Sequence, residues 1–515
     1  MWLSKLVKTM KINVIFLTVT ALALAAGCTS DFLTVDNPTA EPIDEYFTTE
    51  AHLNEALVAA YDPLEWPDWC EGQYNPVCVM SDIMADQIWV GGSDKTDNQF
   101  WHFMMNFEAT PNVCMSGLWA DAYSGVKRCN DVLLYIGWTR NLDSQEARRV
   151  EAEARVLRVF YYNWLWKFWG NIPYYEENLS QPFVCEQISA DQVYANMIAD
   201  LEGAIALDAL KMKETGDRIG HVTKAMAYML YAEIVLYQND ESRLPKALDY
   251  MKEIIGSGAY SLTPDFADIW EESGEWSDES IFEINYKDDN GLRSYDWVRG
   301  TGGTILPRLI SPNGWTGDNI HDNGWGFAPV RLETVQLYDA ADARLGATCW
   351  NAAAAGSYNA RYQDTGYFLG KYIALKENNK DRTGADDLNF NNNLRIYRYA
   401  ETLLNAAELV ARGFGSGDAQ AWLDAVHGRS LSGATVGISL ENIKAERRLE
   451  FVGEGKRYWD LVRWGDASTV LVPDAYGYRT NAWSTGKKYL PIPQSEIDAA
   501  AGTPYPLTQN NYQQP

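Results

Sequence analysis

The sequence predicts a mainly α-helical protein, a superhelix of stacked helical hairpins interrupted by loop-rich inserts, and three observations carry that prediction. Long segments repeat apolar residues every three and four positions. Within them small and aromatic side chains interleave with charges, as in EAEARVLRVFYYNWLWKFWG, the pattern of helices packed on more than one face. Between them lie stretches rich in Gly, Asn, Asp and Trp that follow no period.

The first 27 residues read as an export signal rather than as fold. Lys5, Lys8 and Lys11 precede an apolar run from Ile12 to Ala26, and Met10 is an alternative start. At about 15 residues the run is short for a membrane span, which needs roughly 20. Its end, Leu24-Ala25-Ala26-Gly27-Cys28, looks like a lipobox, which makes Cys28 the expected lipid-attachment residue. Residues 28–515 then read as a single domain. A helical scaffold is expected over about 45–255 and 394–470, with inserts over about 66–117 and 256–393.

Within the scaffold, Leu53, Ala56, Leu57, Ala60 and Tyr61 mark a first helix that Pro63 stops. Helices follow at Leu118 to Ile136, Ala147 to Trp169, Ala190 to Leu207, Val222 to Tyr237 and Pro245 to Ile255, the last pair matching a tetratricopeptide-type hairpin. Glu279 to Tyr286 alternates like a strand, Leu394 to Ala411 returns to helical spacing, and Asp418 to Val426 adds another helix. In Ser439 to Trp464, Ser439 is placed to cap a helix, Gly453 and Gly455 to break it, and Tyr458 to Trp464 to resume it. Arg447 falls among apolar residues on that helix. A buried structural ion pair is expected there, with Glu450 the nearest local carboxylate.

Composition bounds the function. A content of 46% aliphatic and aromatic residues indicates a folded chain, and a net charge of −27 excludes a nucleic-acid partner, since a polyanion would be repelled. Export permits disulfides, and among Cys70, Cys78, Cys114, Cys129, Cys185 and Cys349 the pair expected from spacing is Cys70 with Cys78. No G-x-S-x-G, H-E-x-x-H or P-loop pattern occurs. Carboxylates are too abundant to single out a hydrolytic pair.

The segment ERRLEFVGEGKRYWDLVRW resembles the C-terminal signature of the SusD/RagB family of Bacteroidetes surface lipoproteins. Glu446, Arg447, Arg448, Glu450, Glu454, Gly455, Arg457, Asp460, Leu461, Arg463 and Trp464 match it, while Phe451 and Lys456 depart from it. LWADAYSGVKRCNDVL, LRIYRYAETLLNAAE and YLPIPQSEID extend the resemblance in order along the chain. It implies a tetratricopeptide-like α-α superhelix, no catalysis, and lipid anchoring at the outer membrane facing outward. It also implies delivery of oligosaccharides or polysaccharides to a SusC-like TonB-dependent transporter. RagB-like relatives imply a peptide cargo as the alternative, and a surface glycoside hydrolase is the third reading.

Sugar rings stack their C–H faces on flat aromatics and offer hydroxyls to polar side chains, so the 20 tryptophans are the informative residues. PNGWTGDNIHDNGWGF supplies the leading candidates Trp315, Trp325, Asn313, Asp318 and Asn323. SDIMADQIWVGG to NQFW adds Trp89, Trp101, Asp82 and Asp86, and EWPDW adds Trp66 and Trp69. Trp164, Trp166, Trp169, Trp459 and Trp464 are assigned to the core. No cofactor is expected. The acidic run 318–323 reads as a turn, with a structural calcium ion as the other reading.

Overall fold

The structure, a computed structural model, describes residues 42–70, 72–288, 293–295, 302–380, 382 and 384–512. The signal segment and Cys28 lie outside the described residues. Among the described residues no helix is long and apolar enough to cross a membrane.

The scaffold is a succession of antiparallel helices. Helix α1 (Glu50–Tyr61) lies against α4 (Gly117–Ile136), which packs along α5 (Ser144–Trp169), and α5 in turn carries α6 (Ala190–Ala206). Helices α7 (Lys224–Gln238) and α8 (Leu244–Ser257) continue the array. Although about 140 residues of insert intervene, α8 packs directly on α9 (Tyr399–Ala411), and α10 (Ala419–Ser430) follows, so the two expected scaffold segments form one superhelix. Two short helices, α2 (Val77–Met84) and α3 (Gln99–Met105), sit in the first insert.

Helix α5 spans 26 residues, about 39 Å. Asp143 opens it by accepting from the N–H groups of Gln145 and Glu146, and Gly170 closes it at φ +68°. A Cβ at Gly170 would stand 2.6 Å from the Tyr489 ring, so only glycine permits this close approach. From Ala152 onward α5 is buried on nearly every side, with Trp164, Trp166 and Trp169 in the core as expected.

Leu394 to Ala411 departs from expectation. Its first five residues form a strand, β6 (Leu394–Arg398), antiparallel to β3 (Ser280–Ile284), and only then does α9 begin. The two short pairs β1 (Ile172–Pro173) with β2 (Gln187–Ile188) and β4 (Cys349–Asn351) with β5 (Tyr367–Leu369) complete the strands among the described residues. The β3–β6 register explains the switch: Ser280 faces Arg398 and Glu283 faces Arg395, which brings Arg398 to Glu279 at 2.6 Å. A helix through this segment would give up the cross-strand pairing that sets Arg398 against Glu279.

The C-terminal signature folds as expected in outline and differs in its pairing. Ser439 accepts from Asn442 N at 3.1 Å, α11 (Leu440–Glu450) ends before Gly453 and Gly455, both at positive φ, and α12 (Arg457–Arg463) resumes. A Cβ at Gly455 would meet the Cys78 Cα at 2.7 Å, so this break is also where the signature seats against α2. Arg447 is buried but does not pair with Glu450. Its guanidinium binds Asp460 at 2.8 and 3.1 Å and Asn405 at 2.8 Å. Glu450 points the other way, toward Arg344, Arg398 and Arg429.

The Cys70–Cys78 disulfide is not present. All six described cysteines are thiols, and Cys70 Sγ donates to Asp121 at 2.7 Å while Cys78 lies beneath Gly455.

Glu450→Gln removes the shared counter-charge of three buried arginines. Chemical denaturation is expected to show a loss of about 3–5 kcal/mol, whereas Glu441→Gln on the exposed face of α11 is expected to be within about 0.5 kcal/mol of the parent.

Asp86 and Glu408 set the acid limb of the stability profile. Burial opposes their ionisation, but Arg457 at Asp86 and Arg463 at Glu408 hold both carboxyls down to about 2. Depressed carboxylates contribute stability above their unfolded values and lose it as pH falls toward 2. Burial pushes Glu65 and Asp82 up to about 7, and these act in the opposite sense, losing stability as pH rises toward 7. Thermal melts followed by circular dichroism are expected to peak near about pH 4 to 4.5 and to fall both in more acidic buffer and as pH rises toward about 7.

Candidate functional site

The two inserts meet at one aromatic face, and a buried ion pair joins them. Asp68 contacts Arg293, whose guanidinium also donates to the carbonyls of Trp66 (3.1 Å) and Trp69 (2.9 Å), while Asp68 accepts from Thr304 Oγ1 and Ile305 N, both at 2.7 Å. Asn389 grips the Arg293 backbone from below, accepting from its N–H at 3.2 Å and donating to its carbonyl at 2.9 Å. This anchoring sets Tyr295, 40% exposed, edge-on to Trp69 with ring centroids 5.4 Å apart.

From Trp69 the rings continue: Tyr74 lies 4.7 Å away, and Trp325 meets Tyr74 edge-to-face at 5.5 Å. Trp69, Tyr74 and Trp325 are each half-buried and packed against the core. Polar groups border them. Arg361 donates to the Trp325 carbonyl at 2.9 Å and lies 3.6 Å from Asp97, and Asp387 is 2.6 Å from Arg308, whose carbonyl accepts from Trp325 N at 2.8 Å. Burial raises the Tyr74 and Tyr295 phenols, which are hydrogen-bonded to each other, so both remain protonated at neutral pH. Neutral hydroxyls, a guanidinium and carboxylates beside flat rings suit a polyhydroxylated neutral ligand.

Of the residues singled out in the sequence, the structure brings together Trp69 and Trp325, 256 positions apart. The others have different roles. Trp101 is fully buried and donates through Nε1 to the Tyr74 carbonyl at 2.9 Å, so it positions the Tyr74 backbone and has no face free for a ring. Trp66 is buried beneath Arg128, 4.9 Å from its ring, and Trp89 is buried beneath Arg331 at 3.6 Å. Asp82 is fully buried and accepts from Gly455 N at 3.1 Å, and Asp86 is held by Arg457 and Arg448, each at 2.8 Å. These two carboxylates fasten α2 and its C-terminal turn to the signature.

Trp315 belongs to a separate small core with Phe368 and Ile373, edge-on to Trp350 at 4.9 Å. Gly317 and Gly356 press against its ring, where any Cβ would collide. Asn313 and Asn323 close the same loop, Asn313 donating to the Gly324 carbonyl at 3.1 Å and Asn323 accepting from Gly314 N. Asp318 takes the N–H groups of Ile320 and His321 at 2.9 and 2.8 Å and His321 Nδ1 at 2.7 Å, the arrangement of a turn. Among the described residues no cluster of His, Cys, Asp and Glu is arranged to hold a metal ion.

Sequence reasoning missed Tyr74, Tyr295 and Arg361. Tyr74, in GQYNP, carries the signal used for the tryptophans, an aromatic among Gly, Asn and Pro, but counting tryptophans alone passes over it.

Comparison with known proteins places the fold and the family. Residues 341–512 match the SusD family, and residues 31–236 match a family described as starch-binding and associating with the outer membrane. The fold is similar to surface glycan-binding protein A from Bacteroides thetaiotaomicron in complex with laminarihexaose. The two chains share 58% identity at a TM-score of 0.87, over 90% of this chain and 100% of that one. A laminarin-binding SusD-like protein is 28% identical at a TM-score of 0.79, over 90% of this chain and 99% of its own. A SusD-like protein of Bacteroides ovatus is 24% identical over 507 residues, 92% of this chain and 86% of the relative.

Trp101→Ala, by opening a cavity under Tyr74, is expected to cost about 3–5 kcal/mol in denaturant titrations. Tyr295→Ala, at an exposed ring, is expected to change stability by less than about 1 kcal/mol. The contrast separates the residues that build the face from those that present it.

Proposed function

The chain belongs to the SusD family, and from that premise we propose that it is a non-catalytic glycan-binding protein of the cell surface. The ligand is an oligosaccharide or polysaccharide of the laminarin type, held by Trp69, Tyr74, Trp325 and Tyr295. The observation that carries this reading is the row of four rings built from both inserts. The laminarihexaose complex of the relative at 58% identity supports the choice of sugar.

The mechanism follows from the side chains. C–H faces of successive hexose units stack on the indole and phenol rings, and Arg361, Asp97 and Asp387 exchange hydrogen bonds with ring hydroxyls. The rings are already packed and paired before ligand arrives, so little ordering entropy opposes binding. A neutral glycan is indifferent to the charge of −27, which would instead steer cationic peptides. Anchoring of Cys28 in the outer membrane and delivery to a SusC-like TonB-dependent transporter complete the reading, with the outer-membrane description of the matched family as support.

Isothermal titration tests it. Laminarihexaose is expected to bind saturably, and Trp325→Ala to weaken it by at least about tenfold, about 1.4 kcal/mol, with the fold intact by circular dichroism. Silence toward laminarin-type glycans together with binding of peptides would overturn the sugar assignment. Product release from the glycan, lost on substitution of one carboxylate, would overturn the non-catalytic one.

A further inference from the structure

A second feature is lined by the chain neighbours of the Arg361–Asp97 pair. Next to Arg361 stands Tyr362, and the loop that carries Asp97 also carries Lys95 and Thr96. These residues, with α3 and the turn at 477–480, enclose a cleft of about 340 Å³. That volume falls within the range of small-molecule sites.

Its walls are fixed. Asn106 at the end of α3 accepts from Thr480 N at 2.6 Å and Asn481 N at 3.1 Å, and Arg479 is buried against the carbonyls of Met105, Met84 and Ala85 at 2.7–3.0 Å. The Tyr362 and Tyr478 rings meet at 5.5 Å, and the buried Trp89 supports Tyr478 edge-on at 5.1 Å. Tyr362 and Tyr478 are half-buried, and both line the cleft.

Gln363 indicates that the cleft receives a polar ligand. Its Oε1 is claimed by Val90 N at 3.1 Å and Gly91 N at 2.9 Å, which fixes the amide, yet its Nε2 has no hydrogen-bond partner although the residue is only 4% exposed. Its backbone sits at φ +60°, a conformation that non-glycine residues adopt at a cost and that clusters at ligand sites. Across the cleft His102, 6% exposed, leaves Nε2 without a partner as well. Burial lowers this imidazole to about 4, so at neutral pH it is uncharged. Gln363 and His102 both line the cleft, and in each the Nε2 atom has no hydrogen-bond partner.

We propose that this cleft is a second saccharide subsite, in which a hexose unit stacks on Tyr362 and Tyr478 and accepts a hydrogen bond from Gln363 Nε2. It rests on the glycan-binding reading and extends it: one chain lies on the first row of rings, passes the Arg361–Asp97 pair and enters the cleft. The site therefore selects for length, and an oligosaccharide too short to reach the cleft occupies the first row only.

Titrations of the wild type, Tyr478→Ala and Gln363→Glu with laminaritriose and laminarihexaose test this. Gln363→Glu keeps the acceptor for Val90 and Gly91 and removes the donor. Each variant is expected to weaken laminarihexaose by about threefold to tenfold, the worth of one aromatic or polar contact, and to leave laminaritriose unchanged. Equal weakening of both lengths, or of neither, overturns the second subsite while leaving glycan binding in place. A wild type that binds neither sugar overturns the underlying reading instead. If Tyr478→Ala loses its near-ultraviolet circular dichroism, Tyr362→Ala, at the ring it contacts, carries the same expectation.

Discussion

Arg398 is the point at which the chain is tied together. It is fully buried, and its guanidinium meets Glu279 at 2.6 Å, Glu454 at 2.8 Å and Glu450 at 3.0 Å. Around it Arg344, Lys371 and Arg429 face Asp342, Glu446 and the same glutamates, four cations against five carboxylates, with His427 Nδ1 2.8 Å from Glu446. Such a network contributes less net stability than an apolar core of equal volume, because each charge leaves water on folding. Its effect is on which arrangement is allowed. The groups come from β6, the residue before β3, the second insert, α10, α11 and the glycine break, and any misdocking of these segments would bury an unpaired charge.

That constraint reaches the aromatic face by a short route. Glu454 and Gly455 seat against α2, whose Asp82 accepts from Gly455 N, and Asp86 beyond the end of α2 is clamped by Arg448 and Arg457. The C-terminal carbonyls of α2, left without partners in the helix, are taken by Arg479, with Arg331 beside it. Both inserts are thus fastened at the base by charge, and Asp68 with Arg293 fastens them again at the rim. Loops that would otherwise sample many conformations hold four rings in line.

Much of this was legible in the residues and some was not, for identifiable reasons. The helices α1 and α4 to α8, the Ser439 cap and the glycine break follow from periodicity and local chemistry, which a sequence states directly. The choice among tryptophans does not. In the inserts no period separates inside from outside, so Trp101 and Trp69, 32 positions apart in similar surroundings, read alike although one is core and the other half-exposed. Asp82 and Asp86 appeared as ligand contacts because their partners, Gly455, Arg448 and Arg457, lie more than 360 residues away. Arg447 was rightly placed in the interior and wrongly paired, since spacing along a helix ranks Glu450 first while the fold supplies Asp460 from the next helix. The strand β6 failed for the same reason: its helical spacing is real, and only the cross-strand carboxylates Glu279 and Glu283 decide against it.

The arrangement is also compatible with the proposed neutral ligand in a chain of charge −27. Stacking on Trp and Tyr depends on shape and on desolvation of C–H faces, and neither is sensitive to net charge. The charged side chains near the rings, Arg361 with Asp97 and Arg308 with Asp387, are paired with each other and present hydrogen-bonding edges. A site made this way discriminates by the path it offers rather than by charge. Its rings run from Tyr295 through Trp69 and Tyr74 to Trp325, with the Arg361–Asp97 pair beside the last of them.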